Sequence, residues 1–128
     1  VQAWVTADGY HDLGPGIREP QNHQEIAYKL SECMTCGCCV EACPQYSLNN
    51  NFLGAAAISQ SRLFNMHPTA KNIADERLDT LMQEGGIADC GNAQNCVEAC
   101  PKSIPLTESI AEIGRQVSGK LLSNIFQA

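Results

Sequence analysis

The side chains with the clearest capacity for chemistry are eight cysteines, set in two tight groups between Cys33 and Cys100 with none elsewhere in 128 residues. Thiols pair as disulfides or, ionised, bind soft metals. A disulfide framework fits the spacing poorly. Cys33, Cys36, Cys38, Cys39 and Cys43 crowd into eleven residues and would have to bridge to only three partners, Cys90, Cys96 and Cys100. A zinc site built from two CxxC pairs also fits poorly, because every CxxC lies within residues 33–39 and the second group has none.

The first group reads CMTCGCCVEACP, residues 33–44, with Cys33, Cys36, Cys39 and Cys43 at the CxxCxxCxxxCP spacing of bacterial ferredoxins. Ligands every third residue let a tight loop wrap three iron corners of a cubane. The fourth thiolate, followed by Pro, serves the other cluster in two-cluster ferredoxins. The second group reads CGNAQNCVEACP, residues 90–101, and repeats the tail CVEACP, but Ala93 stands at its second ligand position. The crossed-ligand rule therefore gives a 4Fe-4S site of Cys33, Cys36, Cys39 and Cys100. Cys43, Cys90 and Cys96 are left for a second site. Three thiolates suit a 3Fe-4S cluster; a 4Fe-4S cluster whose odd iron takes water or an outside ligand is the alternative. Cys38 is out of register and reads as a non-ligand, a small buried apolar residue.

Elements must position these thiols. Ile26, Ala27 and Leu30 recur at helical spacing in a helix from Gln21 to Glu32 that leads into Cys33. Forty-six residues separate Cys43 from Cys90. Within them Ala55, Ile58, Leu63 and Met66 share a helical face that Pro68 ends, and a second helix runs from about Asp75, with Leu78, Leu81 and Met82 inward, to Gly85 and Gly86. Leu106, Ile110, Ile113, Val117, Leu121 and Ile125 step by three or four along a long amphipathic helix, which Gly119 is placed to break. Gln2 to Thr6 is a weak strand candidate. The fold class is all-α, with helices packed round two clusters and an apo form expected to be loose.

The net charge of −6 and the scatter of eight basic residues argue against a nucleic-acid partner. No apolar run approaches the roughly 20 residues of a membrane span, and the first thirty residues lack the pattern of an export signal, so the expectation is a soluble domain.

CMTCGCCVEACP, the segment after it and CGNAQNCVEACPKSIPL together resemble the C-terminal, α-helical ferredoxin domain of the iron-sulfur subunits of succinate dehydrogenase and fumarate reductase. LSECMTCG and GGIADCGNAQNC resemble Gram-positive members most. The resemblance extends from about Ala3 to Ile113. It implies a 4Fe-4S and a 3Fe-4S cluster on the ligands given above, with a non-ligand at Cys38. It also implies that residues 1–20 are a linker from a missing N-terminal domain carrying a 2Fe-2S cluster, and residues 21–128 the helical domain.

The function implied is electron transfer from a flavoprotein subunit to a membrane quinone. Succinate chemistry would lie in the flavoprotein, so this chain should hold no catalytic residue, and His11, His23 and His67 read as surface or structural groups. Membrane anchor subunits would hold the protein peripherally on the cytoplasmic face of the cell membrane. Pro44 matches a proline beside the quinone site in the family. Leu48 and Gly91 stand where ubiquinone-using relatives often have Trp and His, which suits menaquinone better. Gly37 and Gly91, beside ligands, could let backbone amides reach sulfur. Related electron-transfer subunits of heterodisulfide reductase and of anaerobic glycerol-phosphate and glycolate oxidases carry two complete motifs, which Ala93 argues against.

Overall fold

The computed structural model describes residues 19–67, 73–91 and 93–127. The strand candidate at Gln2 to Thr6, His11, Pro68 and all but the last two residues of the 1–20 linker lie outside them. Among the described residues there is no strand, and the class is all-α. The helices are α1 (Gln21–Ser31), α2 (Cys38–Ala42), α3 (Ala55–Met66), α4 (Ala74–Leu81), α5 (Asn95–Ala99) and α6 (Leu106–Gln127), with a 3-10 turn at Ile87–Asp89.

Two apolar clusters hold them together. Leu30 from α1, Ala55 from α3 and Leu106 from α6 surround Cys39, Cys96 and Ile104. Phe52, Ile58, Leu78, Leu81, Ile113 and Val117 form the second, and Ile110 packs against both. Leu30, Ile58, Leu81 and Ile113 are fully buried, and each such side chain contributes about 1.5–3 kcal/mol over leaving it in water. The positions read as inward from the sequence are therefore largely the ones that pack.

α3 and α6 lie side by side and run in the same direction. Their first residues share the cluster around the cysteines, whereas Asn65 Nδ2 donates to Gln116 Oε1 at 2.9 Å some three turns on. Both long helices consequently direct their N-termini at the cysteine end of the molecule. α1 is tied to α3 by Gln60 Nε2 donating to the Leu30 carbonyl at 3.2 Å, and to the turn after the second motif by Lys29 Nζ donating to the Lys102 carbonyl at 2.7 Å.

Three details differ from the sequence expectation. Gly119 does not break α6, which runs through it to Gln127; one glycine costs a helix only about 1 kcal/mol. Leu121 and Ile125, read as part of the apolar stripe, are 46% and 69% exposed because α6 outruns the shorter helices beside it. Arg77, which no periodicity singles out, is wholly buried in α4, with its guanidinium over the Phe64 ring and Nη1 donating to Asn65 Oδ1 at 3.1 Å.

The Asn65–Gln116 contact continues to Glu112, which accepts from Gln116 Nε2 and, at 2.6 Å, from Arg115 Nη2. The Arg115 hydrogen bond holds the Glu112 carboxyl down to about 2. Because the folded-state value lies below the unfolded one, the stabilisation is present above the ordinary carboxylate range and is lost as pH falls toward 2. Glu112→Gln should therefore lower the melting temperature at pH 7, and the gap from the parent protein should close as melts are repeated at lower pH.

Candidate metal centre

The repeated tail CVEACP folds twice into the same local structure. Before α2 stands Gly37 at φ 81°, ψ 1°, and before α5 stands Gln94 at φ 66°, ψ 6°. Each left-handed residue turns the chain so that the second residue of the following helix, Cys39 or Cys96, points into the core; both are 8% exposed. Each short helix ends on an extended cysteine, Cys43 at φ −80°, ψ 121° and Cys100 at φ −70°, ψ 116°. An extended residue leaves the helical path, which is what a thiol must do to serve the neighbouring site. α2 and α5 pack against each other, and Asn95 Nδ2 donates to the Ala42 carbonyl at 3.2 Å. Asn95 occupies in the second motif the place that Cys38 has in the first.

This pairing divides the thiols between two cavities. Cys33, Cys36, Cys39 and Cys100 line one, of about 370 Å³ including its open mouth. Cys43, Cys90 and Cys96 line the other, of about 380 Å³ on the same measure, together with Ala93 and Pro44. The first turns of both long helices serve both cavities. Ala56 and Leu106 line the four-thiol cavity; Ala55 and Thr107 line the three-thiol one. Thiols spread around two spaces, with no carboxylate or imidazole lining either, fit iron-sulfur clusters. Among the described residues, no group of three or more His, Cys, Asp or Glu side chains is arranged to hold a single metal ion.

Burial raises the Cys39 and Cys96 thiols above the ordinary range. Ionising them, as metal binding requires, therefore releases protons and is offset by the bonds to metal. Backbone amides work in the opposite direction. At Cys36 the neighbouring Cys38 amide is the main cause lowering the thiol, and at Cys39 and Cys96 nearby amides only offset part of the effect of burial.

Gly37 makes the left-handed turn before α2. Gly91 leaves room for Gln45, whose Nε2 lies 2.7 Å from where a β-carbon on residue 91 would stand.

Cys38 corrects an expectation. It is exposed, not buried in the core, because the turn that carries Cys39 inward carries its neighbour outward. The neighbouring Cys36 sulfur raises the Cys38 thiol. His23 is engaged with Glu19 at 2.6 Å and His67 caps the end of α3, so neither approaches a cavity lined by cysteines. Leu48 is 95% exposed on the loop after Pro44.

Sequence reasoning missed the left-handed Gln94, for which its alignment with Gly37 was the available signal.

Residues 29–104 match the protein family described as a 4Fe-4S dicluster domain. The chain belongs to that family. It is 54% identical over 98% of its length to the succinate dehydrogenase iron-sulfur subunit of Bacillus subtilis, of which it covers 50%. It is 29% identical over 91% of its length to the fumarate reductase iron-sulfur subunit of Wolinella succinogenes, covering 49% of that protein. With the corresponding subunit of Mycobacterium tuberculosis it shares 37% identity over 81% of its length and 42% of the relative. The chain spans about half the length of the curated relatives it matches. The resemblance noted from the two motifs is therefore borne out, including its Gram-positive character in the Bacillus relative.

Gln94 holds a left-handed conformation that a glycine adopts freely and other L-residues at a cost of roughly 1–2 kcal/mol. Gln94→Gly should raise the stability of the loaded protein by up to about 1 kcal/mol, part of the relief being offset by the freer unfolded chain. Denaturant titration followed by circular dichroism would measure this; no gain, or a loss, would mean that the Gln94 side chain has a role of its own.

Proposed function

We propose that this domain carries electrons through a 4Fe-4S cluster held by Cys33, Cys36, Cys39 and Cys100 and a 3Fe-4S cluster held by Cys43, Cys90 and Cys96, as part of a succinate dehydrogenase or fumarate reductase. The observation that supports it most is the partition of the thiols: four line one cavity, three line the other, and the Ala93 methyl stands in the second where a fourth sulfur is missing. Bound there, the clusters would supply one-electron steps between a flavoprotein subunit and membrane quinone.

The protein's part is to fix the distance between the two sites through the α2–α5 pair. It also shields Cys39 and Cys96 from water and leaves Cys36 at the surface. In this reading a 2Fe-2S domain precedes the helical domain in the whole protein, and residues 1–20 link the two. Pro44, exposed beside Cys43 at the three-thiol cavity, lies next to the quinone. Leu48 and Gly91 favour menaquinone. No described helix is long and apolar enough to cross a membrane, which fits a peripheral subunit held by anchor subunits at the cytoplasmic face.

Air-oxidised holoprotein should give the EPR signal of a 3Fe-4S cluster, and dithionite should reveal a separate 4Fe-4S signal. Ala93→Cys should convert the three-iron site to a four-iron one, seen as loss of the oxidised signal and about one extra iron per protein by analysis. An unchanged cluster type in that variant would overturn the ligand register; zinc without acid-labile sulfide would overturn the electron-transfer reading.

A further inference from the structure

The two cavities differ in thiol count but hardly in size: about 370 Å³ with four thiols and about 380 Å³ with three, each including its open mouth. Room alone therefore does not keep a fourth iron out of the three-thiol site. Ala93 removes a ligand there, yet water can complete the shell of an iron that lacks one thiolate.

The three-thiol cavity has a second peculiarity. Cys43, Pro44 and Gln45 line it from the first motif, and Cys90, Gly91 and Ala93 from the second. Gln45 and Gly91 are both exposed, at its mouth. The Gln45 side chain lies along Gly91: a β-carbon on residue 91 would stand 2.7 Å from its Nε2, 3.0 Å from its Cδ and 3.2 Å from its Cγ. All three are inside the roughly 3.5–4.0 Å of ordinary carbon contacts. Gly91 does not lie at positive φ, so what the glycine supplies is space. The base of the side chain is held too, because Asn50 Nδ2 donates to the Gln45 carbonyl at 2.7 Å while Asn50 Oδ1 accepts from the Phe52 amide at 3.2 Å. In the repeat, Met34 and Lys102 stand at the four-thiol cavity where Gly91 and Gln45 stand at this one. Residue 34 carries a side chain and leaves no such seat.

We infer that Gln45, seated on Gly91, is a specificity-determining residue of the three-thiol site: it closes the mouth against a fourth iron and so preserves a three-iron cluster. The inference rests on the ligand assignment proposed above. The reaction it blocks is a simple addition. A neutral, reduced 3Fe-4S core and one ferrous ion give a doubly charged 4Fe-4S core, with no electron transferred and with water as the outer ligand of the added iron. A carboxamide suits the task, having neither the charge of a carboxylate nor the softness of a thiolate to draw the ion in.

The test uses the assembled complex, reduced with dithionite without air and given ferrous iron for increasing times. Reoxidation then reads the surviving 3Fe-4S EPR signal, and analysis reads iron per protein. Gln45→Ala truncates the cover. Gly91→Ala displaces it, since the clash falls on a flexible side chain and not on backbone. Each variant should lose the signal about tenfold faster than the parent while gaining about one iron, and the double variant should be no faster than either, because both changes remove the same contact.

A parental rate in Gln45→Ala overturns the inference. So does a double variant whose acceleration is the product of the two single ones, since Gly91 and Gln45 would then act separately. Should an alanine variant fail to assemble, Gln45→Asn, one carbon shorter, decides: acceleration supports the inference and a parental rate overturns it. A parent complex without any 3Fe-4S signal would overturn the ligand assignment, and the inference with it.

Discussion

The structure depends on two cysteine-bearing segments, far apart in the chain, meeting so that each ends in a thiol that reaches the other's cavity. Cys43 and Cys100 are extended residues that terminate α2 and α5, and each lines the cavity of the opposite motif. Neither cavity is complete with thiols from one segment. The intervening helices α3 and α4 are therefore held in place by a closure that joins the two ends of the segment containing them. Metal bound across that closure would add its binding energy to folding.

The hydrophobic core is organised around the same groups. Cys39 and Cys96 are core residues in their own right, packed with Leu30, Ala55, Ile104 and Leu106. Around two cavities of this size, so few apolar side chains make a modest cluster, and a domain of this length has little spare burial to draw on. The parallel packing of α3 and α6 belongs to the same design. Two parallel helices bring like partial charges together at their N-termini, an arrangement that favours negative charge nearby. The thiol cavities lie there, and each helix lends one residue of its first turn to each cavity.

At its far end α6 continues past the core. Leu121, Leu122, Ile125 and Phe126 are all exposed, from 46% to 84%. A 22-residue helix is about 33 Å long against about 18 Å for the 12 residues of α3, so among the described residues its last turns have no helix of comparable length to lie on. The apolar period of the sequence continued to Ile125, and the period alone could not say where the partner helix stopped.

Much of the site was legible because its information is local. Covalent spacing groups the thiols, the shared tail CVEACP sets two equivalent turns, and Ala93 puts a methyl where the first motif has Cys36. Helix positions were legible for the same reason, since a 3.6-residue period is written along the chain.

What required the folded molecule involves groups distant in sequence. Examples are the outward turn of Cys38, the burial of Arg77 against Phe64 and Asn65, and the placing of Gln45 over Gly91. Arg77 is the clearest case: a charged side chain reads as a solvated position, and only the meeting of α4 with the end of α3 places Phe64 and Asn65 where they take its guanidinium.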